Sequence, residues 1–230
     1  MAETALKRSA GRGRFITFEG GEGAGKSTQI KRLAERLNAT RLRTLVTREP
    51  GGSPGAEIIR HLVLSGMGKL LGPDAETLLF AAARDDHVRS VILPALSRGT
   101  WVLCDRFSDS TRVYQGNLGH VAPEVLNAME RVTIGDLKPD LTIILDVPVE
   151  IGMQRAVARR GTDAPDRFEA EDAKFHQQLR EAYRQIAASE PERCVLIDAA
   201  ADATRVAENI WVAVRDRLFA ADTGSAVNST

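Results

Sequence analysis

The sequence has little with which to staple itself, cross a bilayer or attract a polyanion. Only two cysteines occur in 230 residues, Cys104 and Cys194, each inside a short apolar run (WVLC and CVLI). Two buried free thiols on strands are therefore expected, in a reducing, cytoplasmic setting. The four histidines, His61, His87, His120 and His176, are scattered without the spacing of a metal site. No run approaches the roughly 18 apolar residues that span a bilayer. The opening stretch, MAETALKRSAGRGR, has no apolar segment of the secretory kind. Net charge is absent as well: Lys+Arg and Asp+Glu both number 31. General nucleic-acid binding usually needs a basic excess, so neither nucleic acid nor membrane is an expected partner.

What is present is an ordinary globular composition, 43% hydrophobic and 27% charged. Residues 1–13 and 220–230 are small and polar and read as loose tails, leaving one domain over 14–219. Five apolar runs punctuate it: RFITFE at 14–19, RTLVTR at 43–48, TWVLCD at 100–105, LTIILDV at 141–147 and CVLIDA at 194–199. Nearly continuous apolar runs suit strands covered on both faces. Between them lie residues at helical spacing: Ile30, Leu33, Ala34 and Leu37; Ile58, Ile59, Leu62 and Val63; Leu78, Leu79, Ala82 and Ala83; Val206, Ile210, Val214 and Leu218. Pro54, Pro73, Pro123 and Pro148 stand where helices begin. Alternating strands and helices predict an α/β fold, a five-stranded parallel sheet with helices on both faces. Ligands of such sheets bind beyond the carboxyl ends of the strands. Four of the runs carry a charged residue there, Glu19, Arg48, Asp105 and Asp146, and Asp198 lies near the end of the fifth.

One segment speaks directly of phosphate. Gly20-Gly21-Glu22-Gly23-Ala24-Gly25-Lys26-Ser27 fits GxxxxGK[ST], after an expected strand and at the start of an expected helix. Backbone N–H groups can wrap phosphate oxygens only where Cβ atoms do not intrude, hence the glycines. The helix adds the positive end of its dipole. Lys26 can reach the β- and γ-phosphates of a nucleotide, and the Ser27 hydroxyl, followed by Thr28, can meet Mg²⁺. The motif predicts a P-loop NTPase fold but not the reaction, since switches, motors and small-molecule kinases share it. An N-K-x-D segment of the guanine-reading kind is missing.

Four further segments resemble the thymidylate kinase family over nearly all of 14–219. Thr47-Arg48-Glu49-Pro50-Gly51-Gly52 matches its TREPGG, and Asp105-Arg106-Phe107 its DR-aromatic motif. Phe80-Ala81-Ala82-Ala83-Arg84 is similar to its F-x-A-x-R helix, and Ser110-Thr111 with Tyr114-Gln115-Gly116 to its ST-x-x-YQG. The resemblance implies ATP and thymidine monophosphate as substrates, Mg²⁺ as cofactor, and a homodimer. It implies Phe80 and Arg84 on the base; by spacing alone they share a helix face and could equally be a packing pair. It implies Arg60 and Arg106 on the acceptor's phosphate, with Arg48, Glu49, Pro50, Ser110, Thr111 and Gln115 lining that side. Asp105 supports the metal with Ser27, directly or through water; Tyr114 crowds out a ribose hydroxyl; Glu22 faces the sugar or the metal.

Phosphoryl transfer needs positive charge on the γ-oxygens. One branch of the family supplies it with an arginine in the phosphate loop, where this chain has Gly23. The other branch uses a mobile lid, and Arg155, Arg159, Arg160 and Arg167 lie at about 155–168, a stretch broken by Gly161 and Pro165. The reading assigns Arg159 and Arg167 to the transition state ahead of Arg160 and Arg155. Its rivals are a kinase for another nucleotide or nucleoside, an ATP-holding regulator, and a nucleic-acid ATPase.

Overall fold

A computed structural model describes residues 13–162 and 167–219. The expected tails lie outside it except for Gly13, which is buried and donates its amide to the Leu96 carbonyl at 2.9 Å. Residues 163–166, Pro165 among them, also lie outside.

Each apolar run forms a strand: β1 (Phe15–Glu19), β2 (Thr44–Arg48), β3 (Trp101–Asp105), β4 (Leu141–Asp146) and β5 (Cys194–Asp198). They pair in parallel in the order β2-β3-β1-β4-β5. Nine helices connect and follow them among the described residues: α1 (Lys26–Ala39), α2 (Pro54–Leu64), α3 (Pro73–His87), α4 (Leu93–Ser97), α5 (Ser108–Thr111), α6 (Pro123–Thr133), α7 (Val149–Arg160), α8 (Ala173–Ser189) and α9 (Ala203–Val214). Proline opens α2, α3 and α6, where its missing N–H costs nothing.

Successive side chains of a strand point to opposite faces, and the central strands use both. Ile16 and Phe18 of β1 with Trp101 and Leu103 of β3 pack against Ile30, Leu33 and Leu37 of α1 and Val206, Ile210 and Val214 of α9. On the other face Phe15, Val102 and Cys104 meet Val88, Ile92 and Leu96, while Ile144 meets Leu179, Tyr183 and Ile186 of α8. The helical stripe expected in α1 is therefore a core stripe. Those of α2 and α3 are so only in part: Val63 and Ala83 are buried, but Ile58 is 74% exposed and Leu78 56% exposed. The buried side of α3 instead carries Glu76, Thr77, Phe80, Arg84 and His87. A helix turning that set inward needs polar partners there, because buried polar groups must be hydrogen-bonded.

The chain leaves β1 for β2 on the far side of β3, so a crevice opens beyond the carboxyl ends of β1 and β3. Register places Asp105 level with both Phe18 and Arg48. The phosphate loop, the TREPGG segment and the Asp105-Arg106 pair thus arrive together, and the fold is that of a P-loop NTPase.

Candidate active site

The loop after β1 has the shape its glycines permit. Gly25, at φ 91°, turns the chain into α1. Gly23, at φ 65°, sits so close to α7 that a Cβ would collide with the Gly152 carbonyl. Lys26 folds along the loop, its Nζ donating to the Gly20 and Gly21 carbonyls, both at 3.0 Å. Burial, and then the charge of Arg106, pull its pKa below the ordinary value against the attraction of Glu22 and Asp105. Ser27 Oγ donates to Asp105 Oδ2 at 2.8 Å. That hydroxyl and carboxylate are hard oxygen donors of the kind Mg²⁺ takes once or twice from protein, filling its other positions with phosphate and water.

Beside the loop stands Arg106. Its φ of 69° is a left-handed conformation that a side chain resists by roughly 1–2 kcal/mol. Two backbone donors hold it there: Arg106 N to the Phe18 carbonyl at 2.9 Å, and Phe107 N to Glu19 Oε1 at 2.8 Å. The guanidinium donates to Glu22 Oε1 and to the Gly20 carbonyl, and lies 5.2 Å from the centre of the Tyr114 ring. Burial raises the pKa of Glu22, but Arg106, Lys26 and Arg159 outweigh it and hold the carboxyl at about 2. Glu22 is therefore an anion throughout the working range. Glu19 behaves oppositely. Burial first, and the negative Asp109 second, push it up to about 7, although Ser110 Oγ donates to it at 2.7 Å and Tyr183 Oη at 3.0 Å.

Opposite the loop, Phe80 and Arg84 project from one face of α3. Arg84 is buried, and its Nε donates to Glu49 Oε2 at 2.7 Å. Its Nη2 donates to the Phe107 carbonyl at 3.2 Å and Thr111 Oγ1 at 2.9 Å. Arg60 donates to the Pro50 carbonyl at 2.6 Å, and Arg48 pairs with Glu57 at 2.9 Å.

These groups line a single cleft of about 540 Å³, bounded by Glu22 to Thr28, Arg48 to Pro50, Arg60, Phe80, Arg84, Asp105, Arg106, Ser110, Thr111, Tyr114 and Gln115. Gly20 and Gly21 lie behind it and receive Lys26. The four arginines after α7 begins diverge. Arg159 reaches the cleft, paired with Glu169 and 3.9 Å from Glu22. Arg155 lines it too but donates to the Ala199 and Ala200 carbonyls at 2.7 and 3.1 Å, on the loop after β5. Arg160 pairs with Glu169 at 2.9 Å. Arg167 pairs with Glu76 on α3 and is not among the lining residues. Asp146, another strand-end charge, is taken by Arg180 through both carboxylate oxygens at 2.6 and 2.9 Å.

Sequence reasoning missed three residues that shape the site. Phe168 lies 5.0 Å from Tyr114 and 6.4 Å from Phe80, ring centre to ring centre. Glu169 gathers Arg159 and Arg160. An aromatic and an acid just after the arginine run were the available signal. Tyr183 sits among Leu179, Ala182 and Ile186 at core spacing, so its hydroxyl's work is invisible in sequence. The sequence shows Glu19 only as a charged strand end; its bonds to Phe107 N, Ser110 and Tyr183 are not legible there.

Comparison with known proteins agrees on one identity. The thymidylate kinase family model matches residues 18–210. A thymidylate kinase of Bradyrhizobium diazoefficiens is 76% identical over 219 residues, 95% of this chain and 96% of that one. One from Nitrobacter hamburgensis is 74% identical over 227 residues, 99% of each chain. One from Rhodopseudomonas palustris strain BisB18 is 72% identical over 220 residues, 95% of this chain and 96% of its own length.

Proposed function

Since the chain belongs to the thymidylate kinase family, whose members pass the γ-phosphoryl group of ATP to thymidine monophosphate, we propose a division of that work among its own residues. The observation that carries it is that Lys26, Arg106, Phe80 and Arg84 line one cleft, two phosphate grips facing a base platform.

The loop from Gly20 to Thr28 and the dipole of α1 hold the triphosphate, with Lys26 exchanging its loop carbonyls for phosphate oxygens. Ser27 and Asp105 hold Mg²⁺, which when bound offsets the charge building on the phosphates. Arg106 grips the acceptor's phosphate as a planar fork, assisted by Arg60. Glu22 keeps Arg106 on the loop side and meets the sugar. Phe80 stacks on the base and Arg84 donates to a base carbonyl. Arg48, Glu49, Pro50, Ser110, Thr111 and Gln115 complete the wall, and Tyr114 closes the space beside the sugar. The acceptor phosphate is largely deprotonated near neutral pH, its second pKa being about 6, so no strong general base is required.

The segment around 155–168 acts as the lid, and its arginines replace the one that another branch of the family carries in its phosphate loop. The closeness of Gly23 to Gly152 supports this, since a side chain at position 23 has no room in this packing. Arg159 is the transition-state arginine best supported by its place; Arg167 must leave Glu76 to take part. Closure also excludes water, the competing acceptor. The Arg155-braced loop after β5 serves the adenine side. The protein acts as a cytoplasmic homodimer, a reading supported by its two buried free cysteines and by the exposed apolar side chains Ile58 and Leu78. A coupled assay of ADP release against a panel of monophosphates tests the substrate. Thymidine monophosphate should lead, and a preference for uridine or adenosine monophosphate contradicts the assignment.

A further inference from the structure

His87 lies outside the cleft lining and is fully buried. It belongs to a four-residue interlock between the end of β2 and the last turn of α3. Thr47 and Glu49 are two apart, on the same side of an extended segment. Arg84 and His87 are three apart, on the same side of a helix. The two pairs alternate. Thr47 Oγ1 lies 2.7 Å from His87 Nε2, His87 Nδ1 3.1 Å from Glu49 Oε1, and Glu49 Oε2 accepts from Arg84 Nε at 2.7 Å. Glu49 and Arg84 are themselves only 6% and 7% exposed.

Hydrogen-bond capacity fixes the protons. Glu49, ion-paired with Arg84, can only accept, so Nδ1 of His87 carries the hydrogen it shares with Oε1. Nε2 faces the Thr47 hydroxyl, which can serve the ring as donor or as acceptor. Thr47 orients the imidazole, the imidazole orients the carboxylate, and the carboxylate orients the guanidinium. With Nε on Glu49 and Nη2 on the Phe107 carbonyl and Thr111, Arg84 retains Nη1 for the cleft; among the described residues no partner is recorded for that atom.

We infer that His87 is a positioning residue for base recognition, setting through Glu49 the direction in which Arg84 offers its remaining donor to a carbonyl-bearing pyrimidine. The inference rests on Arg84 reading the base. A base presenting an amino group where thymine presents a carbonyl gains nothing from that donor. Loss of His87 should therefore cost the thymine nucleotide more than its cytosine counterpart.

Steady-state kinetics on the full-length enzyme test this. His87→Leu leaves one Glu49 oxygen buried without its donor and should raise KM for thymidine monophosphate about tenfold or more. Both kcat and KM for ATP should stay within about twofold, since no phosphate contact is touched. Selectivity over deoxycytidine monophosphate should fall with it. His87→Asn places an amide nitrogen where Nδ1 stands and should restore KM; His87→Gln places it at the Nε2 end and should not. Should the leucine variant fail to fold, the Asn and Gln pair decides: equal KM values for the two overturn the inference. A fall in kcat matching the rise in KM overturns it as well. Arg84→Ala separates the layers. If it leaves KM for thymidine monophosphate unchanged, the base-site reading fails; if it raises KM while His87→Leu does not, only the role of His87 fails.

Discussion

Among the described residues Lys26 donates to two carbonyls of its own loop, so removing it should barely disturb the fold while stripping the phosphate site of a buried cation. Lys26→Ala should lower kcat by about 10²–10³ or more with the thermal midpoint nearly unchanged; a near-normal rate refutes its role. Phe80→Ala removes a stacking surface, a loss worth about 1–3 kcal/mol per base in nucleic-acid sites, and should appear as a raised acceptor KM. An unchanged KM returns Phe80 to core packing against Phe168. Glu19 offers a test in pH. Its pKa is raised from the ordinary 4.5 to about 7, so the folded state binds this proton more tightly than the unfolded chain. The stability that proton confers is complete below pH 4.5 and is lost as pH climbs through 7. Glu19→Gln keeps the shape without the charge. It should flatten that decline, by on the order of 3 kcal/mol across the window, in denaturant midpoints measured against pH. A wild-type slope in the variant means that the carboxyl is ionised in the fold throughout.

Among the elements, α7 meets the site at both of its ends. Its first turn presses Gly152 against the phosphate loop, and its last turn sends Arg159 over the cleft. Just beyond α7, Arg167 is anchored to α3, the helix that carries the base platform. Arg159→Ala should cut kcat by about 10²–10³ with little change in acceptor KM, the pattern of a group acting in the transition state. Arg167→Ala should cost less in kcat if its main bond is the one to Glu76. Equal losses would mean that both arginines reach the γ-phosphate when the lid closes. The spread of the arginine run was not legible in sequence, because spacing reports which residues share a helix but not which carboxylates wait on neighbouring elements. Glu76 and Glu169, which hold Arg167 and the Arg159-Arg160 pair, carry no motif.

At the scale of the whole molecule, the apolar side chains that α2 and α3 leave in solvent support a second copy as their cover. Ile58→Glu with Leu78→Glu should convert a dimer to a monomer in sedimentation at micromolar concentration, and a dimer that survives places the interface elsewhere. The sequence by itself determined the five strands, the phosphate loop and the family. Strand runs and glycine patterns are local consequences of backbone geometry, and family motifs are kept at fixed places along the chain. It also placed Phe80 and Arg84 on one helix face. It could not show that this face is buried against Glu49, Phe107 and Thr111, nor that Ile58 of α2 and Leu78 of α3 face outward. Helical period fixes which side chains lie together, and only the packing of one element on another decides which side meets the core. The same holds for charge: Glu22 at about 2 and Glu19 at about 7 are the same carboxyl three residues apart, and the neighbours that separate them come from distant parts of the chain.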